Sequence, residues 1–523
     1  MVFKNESTFF RANQKGKAEV VHSRYESALK KVERDLGETV LNYIGGKWLR
    51  SKGGVFEDRF PGDLSIVNRK FQSSRKEDAM DAVRAAKHSF ESWRRTSFES
   101  RCEIFVKAAS IASRRKYELA AMLTLENGKN RNEALADIDE LIDFMRFYAD
   151  QMRINDGYAM DTPPPYPNER PRNLLKPFGV WSVVSPFNFP AAIMGGMSTG
   201  AMITGNTVVV KPASDTPWHA FVLADILKEA GLPDGVFNVV TGPGSTVGQE
   251  LVDNPGISGF VFTGSREVGM NAMRVFMKDR PRPFIAEMGG KNAVIVTAKA
   301  NLDEAAEGVG RAAFGFGGQK CSACSRVLVD RRIVGDFTRA LKDWTEKQIV
   351  GDPRRRETFV GPVINESAVE RYRKSVRSAK ASGKIVTGGA VLASKDLNGY
   401  YVQPTIVTGL KATSPLMVNE LFLPFVCVHP VPSLEAAMTI ANSSEYGLTS
   451  GIMSRDDAEI ERFMDHIEAG TIYSNRRLGA STAAIVGSQP FVGWKMSGTT
   501  CKAAGGRYYL PQFMREQSQT RCV

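Results

Sequence analysis

Cys321 stands in the segment FGFGGQKCSACSRVLV, where glycines precede it and a β-rich run follows. Glycines let a backbone approach a ligand closely, and a thiolate is a strong nucleophile toward a carbonyl carbon. Lys320 and Arg326 stand close in sequence, where their charges would lower the thiol pKa. A cysteine taken alone is more often an inert small hydrophobe. Cys324 completes a C-x-x-C spacing, but no second such pair or paired histidine exists to build a zinc site. Cys324 is therefore read as structural, and no metal is expected.

Two further residues have chemistry to offer. Glu287, in FIAEMGGKNAVIV, lies ahead of a Gly-Gly turn and a strand. A carboxylate there, viewed alone, is solvated or paired with a lysine. Asn188, in VVSPFNFP, follows a strand and sits between two aromatics. Such neighbours usually mean packing, but a side-chain amide in this kind of loop can donate to a developing oxyanion. Two glycine-containing turns, VTGPGSTVG and FTGSREVG, follow strands and open helices, where free N–H groups can hold phosphates. Neither is a G-x-G-x-x-G after a first strand. The segment Gly196-Met197-Ser198-Thr199-Gly200 matches the G-x-S-x-G of serine hydrolases. That motif needs a strand directly before the serine, and here it lies inside an expected helix, so Ser198 is set aside.

The elements that must position these residues follow from hydrophobic period and turn signals. Residues 1 to about 40 are expected to be helical and charged, and YIGGKW to be a turn between strands. Long amphipathic helices are expected from Ser73 to Tyr148, then a proline-rich loop or extended excursion at 161–173. Short β-branched runs at 180–184, 207–210, 236–240 and 259–262 alternate with helical stretches, and a second alternation runs from 293 to about 486. Strands separated by helices imply parallel sheets covered on both faces, hence two doubly wound α/β lobes. The tail is rich in Tyr, Arg and Gln and is expected to pack on a partner subunit.

Bulk properties narrow the function classes. The 523 residues are 42% apolar and 24% charged, enough for a large core and too apolar for disorder. The net charge of +12 comes from basic residues scattered among acids, which argues against nucleic-acid binding. Six cysteines in so long a chain make no disulfide framework. The apolar stretch Ala191 to Val210 is broken by polar residues and glycines, so it reads as a buried helix running into a strand, with no membrane span. MVFKNESTFF lacks the apolar core of a signal peptide, and a cytoplasmic setting is expected.

Taken jointly, the segments PFNFP, GNTVVVKPAS, FTGS-x4-G, EMGGKN, GQKCSACSR, NELFLPF, YGLT and QPFVGWKMSG resemble the aldehyde dehydrogenase superfamily in order and nearly throughout the chain. Glu287 precedes Cys321 by 34 residues and Asn188 precedes it by 133, separations that fit the family. The resemblance implies the family's fold: two doubly wound parallel-sheet lobes and a small oligomerisation element. It implies an N-terminal extension and first part of the cofactor domain over 1–154 and an oligomerisation excursion over 155–177. The cofactor domain would cover 178–289 and the catalytic domain 290–486, with a return and oligomerisation tail over 487–523. It further implies a homo-oligomer, a dimer or multiple of dimers, acting on a small-molecule aldehyde.

By the same resemblance Cys321 is the nucleophile, Glu287 the base that activates water, and Asn188 the oxyanion donor. NAD or NADP would lie against Ser185, Phe187, Lys211, Ser214, Gly244, Gly248, Phe262, Gly264, Ser265, Gly269, Glu420 and Phe422. A glutamate at position 214 would repel a 2′-phosphate; Ser214 removes that repulsion, so NADP+ is expected to be accepted. Within the family the likeness is strongest to the Δ1-pyrroline-5-carboxylate dehydrogenase branch. That likeness implies oxidation of L-glutamate γ-semialdehyde to L-glutamate in proline catabolism. Glu133, Phe189, Ser322, Ala483, Ala484 and Phe491 would then hold the substrate. The anchor segment Thr482-Ala483-Ala484 departs from the branch's usual Thr-Gly, which keeps another ω-semialdehyde, such as succinic semialdehyde, open.

Overall fold

Strands buried on both faces read as near-continuous apolar runs, and VWSVV, TVVVK and GFVFT become Val180–Val184, Thr207–Lys211 and Gly259–Thr263 of one seven-stranded sheet. The computed structural model describes residues 3–477 and 485–523. In that sheet Val180–Val184 pairs in parallel with Thr207–Lys211 on one side and Gly259–Thr263 on the other, and Phe284–Glu287 closes the edge. The chain moves outward from Val180–Val184 in one direction and then crosses back to its other side. This reversal is a topological switch point, where open α/β sheets hold ligands beyond the carboxyl ends of their strands.

A second seven-stranded sheet has Asn292–Val296 between Cys324–Asp330 and Thr449–Met453, all parallel. Only four residues separate Glu287, the last of the first sheet, from Asn292, the first of the second. The first sheet thus presents carboxyl ends to the junction, at Val184, Thr263 and Glu287. The second presents amino ends, at Asn292, Cys324 and Thr449.

Both sheets carry antiparallel strands at their edges, one of them the hairpin expected at YIGGKW. Asn42–Ile44 and Lys47–Leu49 form an antiparallel hairpin on the first sheet, and Lys384–Thr387 runs antiparallel to Thr405–Thr408 on the second. The hairpin turn is Gly45-Gly46, with φ of 58° and 79°, the positive-φ pair that a two-residue turn requires. So short a connection can only join antiparallel neighbours.

The C-terminal strand Met514–Cys522 pairs antiparallel along its length with Glu169–Pro177, and Ala159–Asp161 completes a three-stranded sheet. The proline-rich excursion and the tail therefore meet within one chain. The serine-hydrolase match lies in the buried helix Ala192–Ile203. A Cβ at Gly196 would stand 2.9 Å from the Phe144 ring, and one at Gly200 3.0 Å from the Phe513 ring. Those glycines admit neighbouring rings, and the Ser198 hydroxyl is buried against the Met194 sulfur at 3.9 Å.

Candidate active site

The loop leaving Val180–Val184 carries Ser185, Phe187, Asn188 and Phe189. The Ser185 N–H donates to the Lys211 carbonyl at 3.3 Å, which ties the loop start to the neighbouring strand. The Phe187 ring meets Phe422 edge-on at 5.6 Å between centroids, so it reaches the second lobe. Asn188 is 2% exposed. At the loop's end the Ala192 N–H, at the start of the next helix, donates to Asp137 Oδ1 at 2.7 Å.

The Cys321 loop follows the helix Leu302–Phe314. Phe316, Gly317 and Gly318 take φ of 50°, 59° and 66°, a left-handed run that turns the chain toward the thiol. Gly318 could carry no side chain, since a Cβ there would lie 2.1 Å from the Leu423 carbonyl oxygen. Asn292 Nδ2 donates to the carbonyls of Cys321 at 2.7 Å and Ala323 at 2.9 Å. Its Oδ1 accepts the Thr449 N–H at 3.0 Å, and the Thr449 hydroxyl donates to the Ser322 carbonyl at 3.2 Å. The amino ends of two adjacent strands thereby hold the loop from both sides.

The half-buried thiol sits in an environment opposite to the expected one. Burial pushes its pKa well above the usual thiol value, and the carboxyls of Glu420 and Glu287 push it further. The N–H groups of Ser322 and Cys321 itself oppose this. Lys320 and Arg326 do not supply the expected relief, because both are engaged elsewhere. Lys320 pairs with Glu133 at 2.8 Å, and Arg326 donates to the Lys291 carbonyl at 2.7 Å.

Glu287 ends its strand in a bridge to Gly498. Its Oε2 is buried without a hydrogen-bond partner, and burial holds its pKa well above the carboxylate range against one backbone N–H, from Gly493. Glu420 Oε1 accepts the Gly290 N–H at 2.8 Å, and burial raises its pKa to about 7. Both carboxyls bear on the Cys321 thiol. Phe422, next but one, is held at a φ of 58°, an uncommon conformation for a bulky residue and one found where function fixes the backbone.

A cleft of about 510 Å³ runs from Ser265 and Arg266 past Met270 to Glu420, Tyr446 and Met496. Glycines beside it pack tightly on their neighbours. A Cβ on Gly264 would stand 2.6 Å from the Phe262 ring, one on Gly269 2.9 Å from the same ring, and one on Gly289 2.2 Å from Glu420 Oε2. The helix Arg266–Phe276 begins at this cleft, and the first N–H groups of a helix have no partner within it. Arg266 pairs with Glu445 across the cleft mouth. Further along, buried Lys211 donates to the Pro212 carbonyl at 3.1 Å, and a Cβ on Gly248 would meet the Lys211 Cδ at 3.7 Å. Burial lowers the Lys211 pKa to about 8. Gly244 and Gly248 bound a single wide helical turn, and Ser214 is exposed.

Glu133 keeps its Oε1 on Lys320, the residue before Cys321, while its Oε2 is buried without a partner. Ser322 is buried, Phe189 is half-buried, and Phe491 is half-buried and bridged to Ala504. Ala483 and Ala484 lie outside the described residues. Among the described residues no group of three or more His, Cys, Asp and Glu side chains could hold a metal ion. Among them, too, no helix is long and apolar enough to cross a membrane. Asn292 and Thr449 carry structural duties here that single-residue reading missed. Asn292 lies inside the segment EMGGKN, but its partners are distant in sequence.

The aldehyde dehydrogenase family model matches residues 48–519. The chain belongs to this family. It is 39% identical to a 1-pyrroline-5-carboxylate dehydrogenase of Geobacillus sp. (strain WCH70), over 93% of this chain and 94% of the relative. It is 40% identical to the protein of the same name from Bacillus cytotoxicus, over 95% and 96%. A crystal structure of 1-pyrroline-5-carboxylate dehydrogenase from Thermus with bound NAD superposes with a TM-score of 0.93 at 34% identity, covering 100% of this chain and 99% of that one. An aldehyde dehydrogenase therefore places Cys321, Glu287 and Glu420 together where its two sheets meet.

Proposed function

We propose that this aldehyde dehydrogenase oxidises L-glutamate γ-semialdehyde, the open form of 1-pyrroline-5-carboxylate, to L-glutamate with NAD+ or NADP+. The observation that carries the chemistry is the Cys321 thiol within electrostatic reach of the buried carboxyl of Glu287, on loops that meet where the two sheets join. The substrate reading is supported by the full-length relatives of that name and by Glu133. An oxygen buried without a partner is costly, and the α-ammonium of glutamate semialdehyde would satisfy Glu133 Oε2. Phe189 and Phe491 would flank the aliphatic part, with Ser322 and the segment at Ala483 and Ala484 near the carboxylate.

In this reading the Cys321 thiol gives up its proton to solvent, and the thiolate attacks the aldehyde carbon and forms a thiohemiacetal. The Asn188 amide and the Cys321 N–H donate to its oxyanion, lowering the energy of the tetrahedral state. The dinucleotide, when bound, supplies the hydride acceptor. Lys211, Ser265, Glu420 and the glycines at 264 and 269 would hold it, with Gly244, Gly248, Phe262, Ser185, Phe187, Ser214 and Phe422 around it. Loss of hydride leaves a thioester on Cys321. Glu287 then takes a proton from water, whose oxygen attacks the thioester carbon and releases carboxylate and thiol.

The first sheet would be the cofactor domain and the second the catalytic domain. The exposed three-stranded sheet has strand edges that suit pairing with another copy, as in a homo-oligomer. Six unpaired cysteines suit a reducing compartment such as the cytoplasm.

Glu287→Gln tests the division of labour. It is expected to give a single-turnover burst of reduced cofactor followed by turnover slowed about 100-fold or more, with an acyl adduct on Cys321 by intact mass. Full-rate turnover by this variant would remove Glu287 from the reaction.

A further inference from the structure

Lys129 is a buried cation that the proposed reaction does not use. It is 1% exposed, and its Nζ lies 2.7 Å from Asp137 Oδ2, itself 0% exposed. The same ammonium stands 3.6 Å from the centroid of the Phe189 ring and 4.9 Å from that of Phe316. A desolvated ammonium facing two rings gains more than an exposed one would, so the contacts hold both rings.

The two rings belong to the two loops that matter. Phe189 adjoins Asn188, and Phe316 is the first residue of the left-handed run that leads to Cys321. Asp137 extends the hold, because its other oxygen accepts the Ala192 N–H at the exit of the Asn188 loop. Lys129 and Asp137 flank and enter the helix Arg131–Ile154, a long rigid element.

We propose that Lys129 is a positioning residue: its ammonium clasps Phe189 and Phe316 and so fixes the Asn188 loop against the Cys321 loop. The inference rests on the roles proposed for Asn188 and Cys321. A displacement of about 1 Å between an oxyanion donor and a nucleophile costs about 100-fold in rate, so loss of the clasp is read in kcat.

Lys129→Met alone would leave Asp137 buried and unpaired, which by itself can unfold a protein. The test therefore uses Lys129→Met with Asp137→Asn, which is neutral and keeps an acceptor for the Ala192 N–H. The expected result is kcat lower by about 10–100-fold, with cofactor affinity within about threefold and Cys321 alkylation by iodoacetamide unchanged. Phe316→Leu in the otherwise intact chain is expected to lower kcat about fivefold, and to add little in the neutral background, since the two changes remove one interaction. Wild-type kcat in the neutral variant would overturn the inference, leaving Lys129 as a charge partner only. So would parallel loss of kcat, cofactor affinity and thermal stability, or a full kcat in Phe316→Leu. A wild-type chain inactive on every aldehyde would instead sink the functional reading and the inference with it.

Discussion

Asn292 donates its side-chain amide to the backbone carbonyl of Cys321 at 2.7 Å, across 29 residues of sequence. The same side chain binds Ala323 and Thr449, so one amide fixes the Cys321 loop to the amino ends of two parallel strands. The thiol is thereby aimed by hydrogen bonds made with backbone, which side-chain changes elsewhere leave intact.

Asn292→Ala should uncouple that aim from the chemistry of the thiol. Three hydrogen bonds in a buried setting are lost, which costs about 2–4 kcal/mol of stability. We expect kcat to fall about 10–100-fold, because the loop no longer holds Cys321 in register. Asn292→Asp should restore part of the stability through the Thr449 N–H but not the donation to Cys321. Steady-state kinetics with thermal denaturation checks both; an unchanged kcat would mean the loop is held without Asn292.

Glu420→Gln should speed alkylation of Cys321. The thiol pKa is raised by burial and by the negative charge of Glu420, so neutralising that charge enlarges the thiolate fraction at a given pH. At pH 8 the variant is expected to react with iodoacetamide about three- to tenfold faster than wild type. Glu420 has a pKa of about 7, so below pH 6 it is neutral in the wild type as well and the two rates should converge. A pH-independent ratio would assign the effect to packing instead of charge.

Much of this arrangement is legible in the sequence. β-Branched runs between helical stretches mark the two α/β lobes, and the ordered motifs around Asn188, Glu287 and Cys321 mark the family. The thiol's surroundings are not legible. Lys320 and Arg326 are near in sequence, but Glu133 and the Lys291 carbonyl claim them, and those partners lie 187 and 35 residues away. The antiparallel edge of the second sheet escapes for a different reason, since an edge strand can carry the same apolar pattern whichever way it runs. Gly318 reads as general flexibility in the sequence, whereas the structure shows one specific need, room for the Leu423 carbonyl.

Ser214→Glu should narrow cofactor use. Ser214 is exposed beyond Lys211 and carries no charge to repel a 2′-phosphate. A glutamate there is expected to lower kcat/KM for NADP+ by about 10-fold or more and to leave that for NAD+ within about threefold. Equal effects on both cofactors would place position 214 away from the ribose.

The central claim is that the enzyme oxidises glutamate γ-semialdehyde through a covalent adduct on Cys321, with the dinucleotide as oxidant. Its most direct test follows reduced nicotinamide with pyrroline-5-carboxylate, succinic semialdehyde and propionaldehyde, using wild type and Cys321→Ala. We expect kcat/KM for pyrroline-5-carboxylate to exceed that for either other aldehyde by about 10-fold or more, and Cys321→Ala to lose activity by about 1000-fold or more on all three. A wild-type enzyme no better on pyrroline-5-carboxylate than on propionaldehyde, or an active Cys321→Ala, would contradict it.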